Sequence, residues 1–419
     1  MKNILTLYIT LFLISCSSSD EEQMNSNLVE ITSFSAKKVR IGDTLVIRGK
    51  NLDLVTNFRF KYNDDDETIL REPLEKKTDL IKVIIPTLNY ENFNLSTIRN
   101  GSLINSTPLN LIGTFPLKFN SNDNELEYDD INSIKMINDK IAFVTARSKL
   151  YKTIDGGYDW ELIKDFGHYI GSSMFFINEN LGWVEIYDDW SSILYYTNDG
   201  GMTFNKIFEN NFAYKSIIQI YFSSPTNGYL LTTKGEIYQT DDNLNFELIY
   251  DFPNSNEASG HTEFFHFSMY NNSLLASGQS GVNGDEPTII IGQNNNFDFS
   301  KLDNYVENIQ LLNDNEGYLV KSDGLERRLY YSNNFGTLLT LTSSMKIHDF
   351  YFTNLSRGIG VSSNANYGNH IIFETYDGGK NWVNKFDFKD FEYSLDIDFY
   401  NNTGLITGYR GKIWKHIFE

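Results

Sequence analysis

A repeated phrase in the later part of the sequence constrains the fold more than any other feature. It reads apolar, aromatic, any residue, Thr, any residue, Asp-Gly-Gly, two further residues and a closing aromatic. Complete copies occupy residues 150–160, 194–204 and 372–382, a shortened copy occupies 237–246, and a worn copy occupies 329–338. Repeats at a fixed period build architectures in which each unit buries its apolar face against its neighbours. This part of the chain is therefore predicted to consist of one repeated supersecondary unit.

The spacing of the repeat indicates its architecture. The key Asp or Asn positions are 155, 199, 242, 334 and 377, and the one double gap contains a degenerate unit with its turn near residues 293–296. A second marker, Gly followed by an aromatic or aliphatic residue, recurs in phase at 182, 228, 317, 358 and 404. A period of about 43 residues with several short strands is the size of a β-propeller blade. Seven blades are predicted for residues 119–419, with six and eight left open.

The turn in this phrase resembles the Asp-box, also called the BNR repeat. The resemblance implies that the Asp side chain caps backbone N–H groups of a tight hairpin, that the glycines adopt positive φ, and that the closing aromatic packs between sheets. The residues to which it assigns these structural roles are Asp155, Gly156, Gly157, Trp160, Asp199, Gly200, Gly201, Phe204, Asp242, Phe246, Asn334, Asp377, Gly378, Gly379 and Trp382. None of them is predicted to be catalytic.

The last unit of the repeat is incomplete. Leu395 to Phe418 supply its inner strands, but the turn that the period predicts next falls beyond residue 419. A strand from before the first blade, between Phe115 and Tyr128, is therefore predicted to complete the last sheet and close the ring. The composition agrees with an all-β protein of many turns, because Tyr and Phe are abundant (26 and 31 residues) and Pro is scarce (7).

The N-terminus is typical of an export signal. Lys2 precedes an apolar stretch of eleven residues, Ile4 to Ile14, which as a helix would span about 16 Å, short of a bilayer core of about 30 Å. A cleaved signal over residues 1–15 fits better than a transmembrane anchor. The stretch ends Leu-Ile-Ser-Cys16, which resembles the lipobox of bacterial lipoproteins. The resemblance implies acylation of Cys16, the single cysteine of the chain, and hence a lipid anchor in a membrane.

Residues 16–27 form an acidic, Ser-rich tether. Its start, Ser17 to Glu22, is similar to the signal that exports some Gram-negative lipoproteins to the outer face of the outer membrane. That similarity implies an outer-membrane protein facing the cell exterior, and a plain solvated tether is the alternative. The formal net charge of −20 argues against nucleic acid as a partner, since an acidic surface is repelled by phosphate backbones.

Residues 28–118 have a different residue pattern from the repeat. Leu28 to Phe34 is a short alternating strand, Val39 to Leu52 contains a Gly-Asp turn and a β-branched run, and Ile81 to Pro86 is a strand closed by proline. This order resembles the IPT/TIG family of immunoglobulin-like sandwiches, and implies a spacer or binding module without catalysis. The sequence departs from the family in lacking Pro after Phe34 and in an insertion over Asn89 to Asn105. The predicted fold is an all-β, Ig-like β-sandwich followed by the β-propeller.

The sequence contains no recognisable catalytic motif. A sialidase would need an arginine cluster for the substrate carboxylate, and only Arg147 and Arg410 are predicted on inner strands of the propeller. No HExxH, G-x-S-x-G, Walker or dinucleotide motif occurs. No catalytic residue and no cofactor are predicted. A glycosidase stays open, because its paired carboxylates would be brought together only in space.

Metal binding finds little support. His261 and His266 flank Glu263 and are candidates for ligands, with ordinary surface and core histidines as the alternative. Two acidic loops, Asp64 to Glu67 and Asn120 to Glu125, offer oxygen atoms to calcium but lack EF-hand spacing. No metal site is predicted.

The function predicted from these patterns is that of a non-enzymatic, monomeric, surface-exposed lipoprotein that binds a protein or a glycan. The repeated phrase is most similar to that of the photosystem II stability and assembly factor, a type of scaffold that binds partner proteins, and the similarity covers the repeat alone. A cell-surface glycoside-active enzyme and an envelope assembly factor are the alternatives. Trp190 and Tyr367 are candidates for stacking on a glycan, with packing in the core as the other interpretation.

Overall fold

The computed structural model describes most of the chain from residue 28 onward. The described residues are 28–62, 68–117, 120–121, 131–167, 170–188, 191–210, 216–253, 262–281, 286–323, 326–334, 339–363, 370–387, 394–408 and 411–419. They are strands and turns, with one short 3-10 helix over Leu52–Leu54. No helix within these ranges has the length and apolar character needed to cross a membrane. The predicted signal peptide, Cys16 and the tether lie outside the described residues.

The chain divides into two compact units. The first runs to Thr87 and includes Glu91–Leu111, and the second comprises Leu88–Tyr90 and Ile112–Glu419. The predicted limits at residues 118 and 119 stay a prediction. The strands of the first unit are β1 (Glu30–Phe34), β2 (Lys38–Val39), β3 (Thr44–Lys50), β4 (Asn57–Lys61), β5 (Ile69–Arg71), β6 (Glu75–Lys76), β7 (Leu80–Ile84), β8 (Asn92–Arg99) and β9 (Ser102–Leu111).

The first unit is a β-sandwich of two sheets with strand orders β1-β3-β7-β6 and β2-β9-β8-β4-β5. Alternate residues point into its core, such as Leu45 and Ile47 on β3 and Phe58 and Phe60 on β4, all buried. The stretch 89–105, which the sequence presents as an insertion, forms β8 and the start of β9, inside the five-stranded sheet.

The second unit contains the remaining strands. They are β10 (Gly113–Pro116), β11 (Asn120–Ser121), β12 (Ile131–Met136), β13 (Ala142–Ala146), β14 (Lys149–Thr153), β15 (Asp159–Asp165), β16 (Ile170–Phe176), β17 (Gly182–Asp188), β18 (Ser191–Thr197), β19 (Asn205–Asn210), β20 (Ile217–Phe222), β21 (Gly228–Thr232), β22 (Ile237–Thr240), β23 (Glu247–Tyr250), β24 (Glu263–Tyr270), β25 (Ser273–Ser280), β26 (Glu286–Gln293), β27 (Asn296–Lys301), β28 (Val306–Leu311), β29 (Gly317–Asp323), β30 (Glu326–Ser332), β31 (Leu339–Lys346), β32 (Asp349–Phe352), β33 (Gly358–Ser363), β34 (His370–Thr375), β35 (Val383–Asp387), β36 (Ser394–Tyr400), β37 (Thr403–Gly408) and β38 (Ile413–Ile417).

These strands form seven sheets among the described residues. Six of them are antiparallel meanders of four strands in chain order, and the seventh consists of β36, β37 and β38 with β10 at its outer edge. β11 adds to the outer edge of the first sheet by pairing in parallel with β15. The first strands of successive sheets contact one another, from β12 through β16, β20, β24, β28 and β32 to β36, and β36 contacts β12. This closed ring of sheets confirms the prediction of an all-β protein with a β-propeller.

The last sheet is completed by a strand from the opposite end of the unit. β10 pairs antiparallel with β38, with Gly113 opposite Ile417 and Pro116 opposite Trp414. A closing strand was expected between Phe115 and Tyr128, and this range was set too late in the chain. The register of β38 places the strand at Gly113–Pro116, and the residues that follow, in β11, pair with the first sheet instead.

The second sequence marker is explained by packing between sheets. A Cβ atom on Gly182 would lie 2.3 Å from the ring of Phe176, so only glycine lets this ring lie flat on the neighbouring strand. The residue after the glycine, Trp183, stacks on Phe222 of the next sheet with ring centroids 3.5 Å apart. The same stack joins Phe143 to Phe176 at 3.8 Å. The Gly-aromatic pair therefore builds the core between blades.

Candidate functional site

The first Asp-box turn shows what this motif does in the fold. The Asp155 carboxylate accepts the N–H groups of Tyr158 and Asp159, at 3.0 and 3.1 Å to Oδ1. Gly156 and Gly157 have φ of 85° and 99°, which a residue with a Cβ rarely adopts. Trp160 is buried at 2% exposure and donates its indole N–H to the Gly157 carbonyl at 3.0 Å. These hydrogen bonds all lie between Asp155 and Trp160.

The other Asp-box turns repeat this arrangement. Hydrogen bonds from the side chain and backbone of Thr203 hold the pKa of Asp199 at about 2. Asp242 and Asp377 also have lowered pKa values, because each accepts backbone and side-chain N–H groups of an Asn three or four residues later. The glycines Gly200, Gly201, Gly378 and Gly379 all have positive φ.

The closing aromatics Phe204, Phe246 and Trp382 pack against the buried clusters of the ring. For the worn copy, Asn334 is described but the four residues after it are not. The degenerate unit turns at Asn294 and Asn295, whose φ values are 50° and 61°. None of the Asp-box residues lines the central channel. Their carboxylates serve the turns, so the search for a site moves to the channel.

The channel contains a cavity of about 780 Å³ enclosed by the first strands of the sheets. Along each of these strands side chains alternate between the channel and the core between blades. Two tiers of residues result. The upper tier in the cavity wall is Ser133, Gln219, His266, Asn308, Asp349 and Asp396, and the lower tier is Lys135, Phe175, Tyr221, Ser268, Gln310, Tyr351 and Asp398.

A β-bulge precedes the upper tier in several strands. The pairing register shifts between Ile217 and Gln219 on β20 and between Phe264 and His266 on β24, and likewise just before Asn308 on β28. An extra residue of this kind bends the strand and re-aims the side chain that follows. The repeated bulge therefore turns the upper-tier side chains toward the channel.

Two channel carboxylates join the first sheet to the last. Asp396 Oδ2 accepts the backbone N–H of Ile134 at 2.8 Å, and Asp398 Oδ2 accepts that of Met136 at 2.7 Å. Asp398 also forms an ion pair of 2.8 Å with Lys135. The first strand of each sheet is an edge whose outward backbone groups need partners. These aspartates supply those partners at the junction where the two ends of the ring meet.

Other lower-tier side chains do the same for their neighbours. Gln310 accepts the N–H of Phe352 at 2.7 Å and donates to its carbonyl at 2.9 Å, in the manner of a backbone bridge. Ser268 Oγ accepts the N–H of Leu311 at 2.8 Å. Much of the lower tier is therefore engaged in holding adjacent blades together.

Part of the upper tier has polar atoms that no described residue engages. Asp349 uses Oδ1 to accept N–H groups of Phe350 and Asn308, at 2.8 and 2.5 Å, while its Oδ2 has no partner in the described ranges. The imidazole of His266 and the side-chain amide of Gln219 likewise have no hydrogen-bond partner in the described ranges. Burial, with a smaller contribution from Arg327, lowers the pKa of His266 to about 4, so its ring is neutral at pH 7.

The channel mouth beside this tier carries a polar cluster of three residues. Arg327 forms an ion pair with Glu307 and lies 2.9 Å from Nδ1 of His348. A guanidinium has no acceptor, so Nδ1 accepts this hydrogen bond and any imidazole proton sits on Nε2. Arg327 belongs to the third strand of its sheet, β30, and its length lets it reach the cavity wall.

Two further candidate residues predicted from the sequence, Arg147 and His266, are described in different parts of the propeller. Arg147 was expected on an inner strand, and that expectation is wrong. It occupies the turn between β13 and β14 with φ of 50°, because the tight hairpin there needs a left-handed residue. Of the suggested metal ligands, His266 lies in the channel wall. Within the described residues no three His, Cys, Asp or Glu side chains are arranged to hold a metal ion.

The remaining candidates lie wholly or partly outside the described residues. They are Cys16, Asp64 to Glu67, Trp190, His261, Tyr367, Arg410 and, after Ser121, the second acidic loop. The channel residues themselves were missed from the sequence. Their signal is the polar-apolar alternation at a constant phase of the repeat, as in His266-Phe-Ser-Met and Asp396-Ile-Asp-Phe.

Comparison with known proteins defines the class of fold. No family model and no curated protein matches the sequence. Among solved structures, YCF48 bound to D1 peptide aligns with a TM-score of 0.54 at 16% identity, covering 73% of this chain and 96% of that one. YCF48 from Cyanidioschyzon merolae gives 0.53 at 13% identity, covering 73% and 99%.

A third similar structure is an enzyme. Catalytically inactive virginiamycin B lyase from Staphylococcus aureus with quinupristin gives a TM-score of 0.55 at 12% identity, covering 73% of this chain and 99% of that one. Identities this low establish a shared fold alone. The protein is a β-propeller protein, of a class that includes both binding proteins and enzymes.

Proposed function

We propose that this protein is a non-enzymatic binding protein whose propeller takes a segment of a partner protein at the upper tier of its channel. The proposal rests on a difference between two sets of polar side chains in the channel wall. Asp396, Asp398 and Gln310 are engaged with neighbouring strands, whereas Gln219 and His266 present polar atoms to a cavity of about 780 Å³. Unengaged polar groups around a cavity are what a ligand recognises.

A polypeptide is the ligand best supported by the comparisons. One of the similar propellers is described as bound to a peptide, and a propeller that assembles or scaffolds other proteins would need such a site. A glycan is the second ligand class, and the envelope assembly factor is a special case of the same binding role. The likeness to these structures supports the fold on which the proposal rests, while the ligand is inferred from the channel.

The setting we propose is the outer face of the bacterial outer membrane. Acylation of Cys16, inferred from its resemblance to a lipobox, would anchor the chain, and the acidic residues 17–22 would direct its export. The sandwich unit, by its resemblance to IPT/TIG domains, would serve as a spacer. Metabolic labelling with palmitate tests the anchor, and label retained in Cys16→Ala would contradict it.

A glycoside-active enzyme is the second candidate, because two channel carboxylates have the raised pKa of potential acid catalysts. Burial raises the pKa of both Asp349 and Asp396 to about 6. Asp396, however, accepts a backbone N–H on each oxygen, from Ile134 and Ile397. A carboxyl group so engaged is suited to holding strands together, which favours the binding role.

The test compares partners captured by the full-length protein and by two variants. Gln219→Ala with His266→Ala removes upper-tier groups, and Met202→Ala changes a side chain that is 86% exposed on an Asp-box turn as the control. After cross-linking on cells, we expect one stoichiometric protein with the wild type and the control, and its loss with the channel variant. Retention of that protein by the channel variant would overturn the proposal. So would hydrolysis of a glycoside panel by the wild type that disappears in Asp349→Asn.

A further inference from the structure

The charges in the channel wall are not balanced by the protein. Four carboxylates and two basic side chains line the cavity. Lys135 pairs with Asp398 at 2.8 Å, and Arg327 pairs with Glu307. Asp349 and Asp396 have no ion-pair partner among the described residues. The wall therefore contains two acidic groups whose charge no side chain of the described chain neutralises.

This imbalance has a physical consequence for the empty channel. Burial disfavours the ionised forms of Asp349 and Asp396, and the negative charge of each neighbouring carboxylate adds to the effect. The imidazole that shares their tier cannot compensate, because His266 is neutral at pH 7. A positive charge brought by a ligand would stabilise both ionised carboxylates in a setting where water does so poorly.

The groups without partners are arranged to receive such a charge. Gln219, His266 and Asp349 occupy the same tier on β20, β24 and β32, so an amide, an imidazole and a carboxylate oxygen border one side of the cavity. All three can accept a hydrogen bond, and the neutral imidazole has one nitrogen free to do so. Building on the proposed function, we infer that the upper tier binds the protonated tip of a lysine or arginine side chain of the partner protein.

The experiment titrates the full-length protein with four small probes at pH 7. They are N-acetyl-lysinamide, N-acetyl-argininamide and their uncharged counterparts, N-acetyl-norleucinamide and N-acetyl-citrullinamide, with binding followed by NMR. Saturable binding of at least one cationic probe, and none by its neutral counterpart, is the expected result. The cationic probe that binds more tightly identifies the basic side chain. Equal binding of charged and neutral probes, or no binding of either cationic probe, would overturn the inference.

Two matched variants locate the site. Asp349→Asn keeps the shape and the hydrogen bonds on Oδ1 while removing the charge, and should weaken binding at least about tenfold, because truncating a desolvated charge pair is costly. Asp298→Asn removes the same charge from the exposed outer strand β27 and should leave binding unchanged. Thermal melts confirm that both variants fold. Undiminished binding in Asp349→Asn would place the charge elsewhere and overturn the inference.

The pH dependence sharpens the assignment. Binding should weaken from pH 7 to pH 5, as protons compete with the probe for Asp349 and Asp396. The other titratable or charged groups facing the site are Glu307, Asp398, Lys135, Arg327, His266, His348, Tyr221 and Tyr351. The slope is therefore read as the difference between wild type and Asp349→Asn. A wild-type slope equal to that of the variant contradicts the inference. If cationic probes fail while the channel variant still loses its partner, this inference falls and the proposed function stands.

Discussion

The Asp-box turns, together called the rim, and the channel of this propeller use aspartate in opposite ways. On the rim, Asp199 accepts several hydrogen bonds in an exposed turn, and its pKa is lowered to about 2. In the channel, burial raises the pKa of Asp349 and Asp396 to about 6. A carboxylate surrounded by donors and water is stabilised in its charged form, whereas one enclosed near other carboxylates is not. The repeated aspartates therefore hold the turns, whereas Asp349 in the channel keeps one carboxylate oxygen without a partner among the described residues and marks the candidate site.

A second contrast on the rim lies between the Asp-box turns and the turn between β26 and β27, which lacks the Asp-box motif. In the first sheet the N–H of Gly156 donates to the Lys140 carbonyl at 2.8 Å, which ties the turn to the neighbouring hairpin. In the fourth sheet Asn294 makes the equivalent bond to Asn272 at 3.0 Å without any Asp. The common requirement is a left-handed turn that docks on the first hairpin, and the Asp is one way of holding it.

The largest effect is expected when a channel carboxylate is removed from the ring junction. Asp398→Ala leaves Lys135 without its ion pair and the Met136 N–H without an acceptor, in a site where Asp398 is 7% exposed. Breaking a buried pair in this way costs about 3 kcal/mol of unfolding free energy. Urea unfolding followed by fluorescence measures it. A loss no greater than that of a rim variant would contradict the distinction between the two regions.

A smaller effect is expected on the rim. Asp155→Ala removes the acceptor for Tyr158 and Asp159 but leaves these N–H groups exposed to water. Loss of a capping side chain costs about 1 kcal/mol. The same urea experiment applies, with Asp155→Asn as a control that retains one acceptor oxygen. Loss of the whole folded ring in Asp155→Ala would show that the turn contributes more than a local cap.

The two regions should also respond to pH in opposite directions. The raised pKa of Asp349 means that its contribution to stability is present at low pH and is lost as the pH rises through about 6. The lowered pKa of Asp199 means that its contribution is present above pH 4 or so and is lost as the pH falls toward about 2. Unfolding midpoints of wild type, Asp349→Asn and Asp199→Asn between pH 2 and pH 7 are the measurement.

Each variant is compared with wild type, because the titration of His266 changes stability in the direction opposite to that of Asp349. The lowered pKa of His266 makes the folded state lose stability as the pH falls below about 6.5. The difference in unfolding midpoint between wild type and Asp349→Asn should change between pH 4 and pH 7, and the difference between wild type and Asp199→Asn should change between pH 2 and pH 4. Parallel curves for all three proteins would show that neither carboxylate has the expected pKa.

The smallest effect is expected from the turn that lacks the Asp-box. Asn294 has φ of 50° and contributes its backbone to the tie with Asn272. Asn294→Gly keeps both the left-handed geometry and the N–H, so the unfolding free energy should change by less than about 0.5 kcal/mol. Asn294→Val, which disfavours positive φ, is the contrasting variant and should destabilise clearly. Equal effects of the two would contradict the role assigned to the backbone.

The parts of the fold that could be predicted from sequence are those built by near neighbours in the chain. The Asp155 turn is closed by residues up to Asp159. The Gly182-Trp183 marker reports a contact between glycine and an aromatic ring that recurs at Gly228, Gly358 and Gly404. The position of the closing strand could not be predicted to the residue, because it depends on the register between Gly113 and Ile417, at opposite ends of the unit. The channel was missed for the same reason.

The sequence by itself therefore determined the repeat, its turns and the all-β propeller, because each rests on local contacts repeated at one period. Only the tertiary structure decided which polar residues share the channel. Asp396 meets Ile134, and Asn308 meets Asp349, across separations of 262 and 41 residues. Ring closure brings these side chains together, and whether a carboxylate there is paired or left for a ligand depends on which neighbour the closed ring places beside it.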